Sequence, residues 1–146
     1  MTEFSTKIVT ADHLKAVSDK IDMEKAATAL AAKRKEDEER EKLREDFMNR
    51  DLRNDGADRF NAAVERAAAA GQSEIQILTF PAEYCGDHGR AINNFEEGWQ
   101  STLTGYAKKI SDAYDEYLKP NGFKLTARIL NYPDGNLGEV GMYISW

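Results

Sequence analysis

The chain is short of cysteine, histidine and proline: one Cys, two His and three Pro in 146 residues. A single thiol, Cys85, excludes any intrachain disulfide framework and suits a reducing compartment. Cys85, His13 and His88 are too few to close a tetrahedral Cys/His zinc site within one chain, which leaves only a site completed by Asp87, Glu83 or a second chain. Neither a metal nor a cofactor is therefore expected. Apolar runs are short as well. None approaches the roughly 18 residues of a membrane span, and Met1 to Lys7 hold no apolar core of a signal peptide. These absences lead to the expectation of a soluble, cytoplasmic protein without a membrane partner.

A surplus of positive charge is also missing. Basic and acidic residues number 12 and 14 in residues 1–56, 3 and 5 in 57–90, and 5 and 7 in 91–146. Every part is slightly acidic, and the net charge is -6. Phosphate neutralisation needs the opposite balance, which disfavours nucleic acid as a partner.

What the sequence has in excess is charge of both signs, and it is concentrated. Residues 33–46 run Lys-Arg-Lys-Glu-Asp-Glu-Glu-Arg-Glu-Lys-Leu-Arg-Glu-Asp. Opposite charges recur four residues apart, as in Lys33 with Asp37, Arg34 with Glu38 and Glu36 with Arg40, each worth about 0.2–0.5 kcal/mol to a helix. The segment lacks the repeated apolar a and d positions of a coiled coil, so a solvated single helix is expected. Before it, Leu14, Val17 and Ile21 share one helical face, while Met23, Ala27 and Leu30 fall on roughly the opposite one. Such an arrangement implies either a break near residues 18–22 or two ends that touch different things.

Asn54-Asp55-Gly56 interrupts this pattern and marks the expected boundary between a charged helical arm, 1–55, and a compact domain, 56–146. Within the domain, Phe60, Ala63, Val64 and Ala67 give a second helix, with Gly71 placed to end it. Glu74 to Phe80 read as a strand around the short run Ile75-Gln76-Ile77-Leu78, stopped by Pro81. Phe95, Trp99, Leu103, Tyr106, Ile110, Tyr114 and Tyr117 recur every three or four residues. That periodicity predicts one long amphipathic helix starting at Asn93 or Asn94. Alternating residues 123–129 and 140–146, separated by Pro133-Asp134-Gly135-Asn136, predict a hairpin. The expected fold is α+β, in the order α-β-α-β-β, as two layers with the hairpin packed on the long helix.

Reactive side chains crowd only at Glu83–His88. Cys85, Asp87 and His88 are the candidate catalytic residues there, and a small enzyme or ligand-binding domain using this loop is the alternative function. Glu83 and Asp87 would raise, not lower, the thiol pKa, which favours a purely structural loop with a buried cysteine. Arg128 and Tyr143 on the polar hairpin face, and Leu14, Val17, Ile21 and Leu30 on the arm, are the candidate binding residues. The leading expectation is a non-enzymatic protein-interaction or regulatory module whose partner is another protein or a second copy of the chain.

Overall fold

The computed structural model describes residues 7–146; Met1 to Thr6 of the N-terminal stretch lie outside the described residues. The protein is α+β, with a long N-terminal helix, several shorter ones and a three-stranded antiparallel sheet. No described helix is long and apolar enough to cross a membrane.

Helix α1 spans Ala11–Asn49 without interruption. Thr10 caps it, its Oγ1 accepting the His13 N–H at 3.1 Å and satisfying a donor that the first turn leaves open. The change of apolar face between Ile21 and Met23 therefore does not break the helix. Of the opposite-charge pairs four residues apart in 33–46, Glu36 with Arg40 closes, at 3.4 Å.

The chain divides into two compact units, Met1–Leu43 and Arg44–Trp146. This division falls inside α1, ahead of the Asn54-Asp55-Gly56 interruption. The reason is Phe47, which joins the core of the second unit together with Met48. The Phe47 ring lies 5.4 Å from that of Phe80, 4.9 Å from Tyr84 and 6.5 Å from Tyr106, centroid to centroid. It is the centre of an aromatic cluster, within the spacing at which such rings attract.

In the second unit, helix α2 covers Gly56–Ala69 and strand β1 Glu74–Pro81. The one-turn helix α3 covers Arg90–Asn93 and helix α4 Gly105–Ala113. Strand β2 runs Lys124–Ile129 and β3 Glu139–Ser145. The strand order is β1-β3-β2, both neighbours antiparallel to the central β3. A bulge interrupts the β1–β3 register between Gln76 and Leu78. Alternation along the strands then puts Phe80, Val140 and Met142 in the core, with Leu125, Ala127 and Ile129 packed at its side. Ile92, Leu103 and Ala107 close it from the helical layer.

The long amphipathic helix expected from the periodic stripe is not continuous. Asn93 ends α3 instead of starting a helix, a 3-10 segment follows over Glu97–Thr102, and α4 runs on into a π turn at Tyr114–Leu118. Leu103 and Tyr114 are buried as their spacing suggests, yet Phe95 and Tyr117, from the same stripe, are 82% and 62% exposed. Glycine is the local cause at Gly105, whose φ of +53° belongs to the left-handed region. A Cβ there would stand 2.8 Å from Met48 Cα and 2.9 Å from the Phe47 carbonyl oxygen. The start of α4 therefore needs glycine twice, for its dihedral and for close approach to the last turn of α1.

Candidate functional site

The Glu83–His88 loop is held by its own backbone. The Cys85 N–H donates to the Ala82 carbonyl at 3.0 Å and the Gly86 N–H to that of Thr102 at 2.8 Å. The Thr104 hydroxyl donates to the Tyr84 carbonyl, tying the same loop to the start of α4. Asp87 accepts the Gly89 N–H at 3.0 Å on one carboxylate oxygen and the Ala91 N–H at 2.8 Å on the other. Both oxygens thus serve the first turn of α3, where a carboxylate satisfies open N–H groups. Cys85 is only 3% exposed. Burial, reinforced by the Asp87 charge, pushes its thiol up to about 11. A thiol that stays protonated at neutral pH is a poor nucleophile. His88 and Glu83 are exposed. The structure thus brings Cys85, Asp87 and His88 into one loop, in which Asp87 works as a cap and Cys85 as packing. Among the described residues no three His, Cys, Asp or Glu gather as metal ligands would.

The open face of the sheet carries the second candidate pair. The Arg128 guanidinium lies 3.8 Å from the centre of the Tyr143 ring, a cation–π distance, and also pairs with Glu74 across the sheet. Gln76 Nε2 donates to the Tyr143 hydroxyl at 3.0 Å. The Tyr143 ring also covers Gly141, where a Cβ would meet it at 2.9 Å. Arg128 and Tyr143 are therefore partners of one another. Lys109 donates to the Arg50 carbonyl at 2.6 Å and to Asp51 at 2.9 Å. The ammonium beside Asp51 holds that carboxyl below the usual carboxylate range.

The third candidate set lies on α1. Leu14, Val17, Ile21, Met23 and Leu30 are between 42% and 73% exposed, and Phe47 is the one buried residue of the helix. Leu14, Val17 and Ile21 lie on one side, Met23 and Leu30 on the other, as the helical repeat of 3.6 residues requires.

The end of α3 is not legible in the sequence. Three helical segments end in the same way, with an N–H bonding back five residues and the N–H before it bonding back three. At the end of α2 these are Gln72 to Ala67 and Gly71 to Ala68. Before β2 they are Phe123 to Leu118 and Gly122 to Lys119. After α3 they are Glu96 to Ala91 and Phe95 to Ile92. The motif needs a left-handed residue, almost always glycine. Gly71 and Gly122 supply it at φ +80° and +90°, but the third position is Phe95 at φ +53°. A left-handed conformation costs a non-glycine residue about 1–2 kcal/mol, and here the side chain it carries is an exposed aromatic ring. Phe95 borders an open depression of about 180 Å³ with Ile92, Trp99, Ala127, Thr126 and the carboxylates of Glu96 and Glu97. No sequence signal marks this corner, because Asn93 and Asn94 read as the start of the helix that carries the stripe.

Neither protein-family models, nor curated proteins, nor solved structures give a match to this chain.

Proposed function

We propose that this chain is a non-enzymatic protein-interaction module whose contact element is the N-terminal part of α1. The observation that carries the reading is the exposure of Leu14, Val17, Ile21, Met23 and Leu30 on a helix whose residues before Phe47 include none that is buried. An isolated helix gains nothing from exposed branched and aliphatic side chains. A partner helix gains buried area from each of them, at about 25 cal/mol per Å², and amphipathic helices commonly dock by such i, i+3, i+7 anchors. The two patches on opposite sides would accept two partner surfaces. The chemistry of the Glu83–His88 loop, with a protonated buried thiol and a carboxylate committed to capping, supports the non-enzymatic part of the reading.

The test keeps the chain whole. Leu14, Val17 and Ile21 are replaced together by Gln, which preserves helix propensity. Light scattering reports self-association, and co-purification from the native cell reports other proteins. The triple variant is expected to keep its thermal midpoint and to lose the associated species. A variant that retains every partner overturns the proposal.

A further inference from the structure

The two outer strands of the sheet differ in how their free edges are protected. β1 carries the bulge between Gln76 and Leu78 and ends on Pro81, both devices that discourage pairing with another strand. β2 has neither over Lys124–Ile129. The Leu130 N–H donates to the Glu139 carbonyl at 2.7 Å. The antiparallel pattern continues that pairing to Arg128, Thr126 and Lys124, so the backbone groups of Leu125 and Ala127 point away from β3. Among the described residues no other backbone group or side chain hydrogen-bonds them.

The depression beside Phe95 borders this strand at Thr126 and Ala127. Its lining has the composition that accepts a long cationic side chain. Phe95 and Trp99 offer apolar ring surface for an aliphatic stem or a guanidinium plane. Glu96 and Glu97 stand at the rim, exposed and, among the described residues, without an ion pair. Lys124 on the open face of the same strand is exposed. Two copies of β2 laid edge to edge, in the antiparallel register that pairs Leu125 with Ala127, would set Lys124 opposite Arg128 of the second copy and leave both cations facing like charge, which argues for a different sequence as the occupant.

We propose that the β2 edge and the Phe95 depression form one binding surface for an extended peptide segment of another protein, which adds as a strand beside Leu125 and Ala127 and places an Arg or Lys side chain between Phe95, Trp99, Glu96 and Glu97. The main chain supplies affinity and the depression supplies specificity, the usual division in strand addition. The left-handed Phe95 then has a purpose: the turn at the end of α3 presents its ring beside the strand edge, where glycine would offer none.

Two synthetic peptides of alternating Thr and Val test this, one with a central Arg and one with Glu in its place. Each is titrated into the full-length protein labelled with nitrogen-15. With the Arg peptide, the Leu125 and Ala127 amides and the Trp99 indole N–H are expected to shift together. The Glu peptide is expected to bind about tenfold or more weakly, as truncation of a central anchor does. Phe95→Gly relieves the backbone, so it should keep the fold while weakening the Arg peptide by a similar factor. The Leu14, Val17 and Ile21 to Gln variant should bind the peptide as the parent does, which separates this surface from the α1 proposal. No shift of these amides at millimolar peptide overturns the inference. Equal binding of the two peptides, or full binding by Phe95→Gly, does so as well. Shifts of the same amides on concentrating the protein alone would assign the edge to a second copy and also overturn it.

Discussion

Leu43 and Phe47 lie one helical turn apart on α1, yet the first is 66% exposed and the second 5%. They stand on either side of the division between Met1–Leu43 and Arg44–Trp146. The same helix therefore obeys two regimes. Before the division, helicity rests on good helix formers, the Thr10 cap and local charge pairs, interactions that reach no further than four residues along the chain. After it, the last turn is held by three aromatic neighbours that are distant in sequence, Phe80, Tyr84 and Tyr106. A helix can thus be continuous in geometry and discontinuous in what stabilises it.

Replacing each of the two residues by Ala tests the contrast most severely. Phe47→Ala should cost about 3–5 kcal/mol in denaturant unfolding, because it removes a large buried ring and leaves a cavity. Leu43→Ala should stay within about 0.5 kcal/mol, as surface substitutions do. Equal effects would dissolve the distinction between the two regimes. Truncation should follow the same line. Removing residues 1–43 spares Phe47, whereas a cut after residue 53, at the Asn54-Asp55-Gly56 interruption, takes it away.

A smaller effect is expected from Gly105→Ala, which attacks the same junction from the α4 side. The added methyl would stand 2.8 Å from Met48 Cα on a residue at φ +53°. Overpacking of this kind costs about 1–3 kcal/mol. Thermal unfolding measures it, and an unchanged midpoint would mean that the last turn of α1 is not pressed against α4.

The smallest effect sharpens the picture of the interior. Cys85 has its thiol raised from 9.0 to about 11 by burial and by Asp87. The folded state therefore holds the proton more tightly than the unfolded chain. The stability contributed by the neutral thiol is complete below about pH 9 and is lost as pH rises towards 11. The margin by which the parent exceeds Cys85→Ala in denaturant midpoint should therefore shrink between about pH 8 and about pH 10.5. Alkylation of the native thiol at neutral pH should be slow.

The two faces of α1 that carry Leu14, Val17, Ile21 and Leu30 are legible from spacing alone, because helical geometry is local. The capping and packing duties of Asp87 and Cys85 were not separable by sequence, since both depend on where the backbone of residues 89, 91 and 102 comes to lie. Alternation puts Arg128 and Tyr143 on one face of the hairpin, but their stacking depends on the register of β2 on β3, and the pairing of Arg128 with Glu74 on the strand order β1-β3-β2, neither of which periodicity encodes. The spacing of Phe95 puts it on the amphipathic stripe. Its exposure comes from a turn whose left-handed residue is normally glycine.

The sequence by itself determined the local part of this protein: the helicity of residues 33–43, the Gly71 helix end, the alternation of β2 and β3 and the turn between them. These follow from propensity, charge spacing and period, all of which act between near neighbours. Tertiary structure decided the rest. It broke the aromatic stripe at Phe95, drew Phe47 out of a charged helix into the core, and put β3 between β1 and β2. The physical reason is that burial is non-directional and pools surfaces far apart in the chain. A single apolar residue such as Phe47 carries no local mark of which distant rings it will meet.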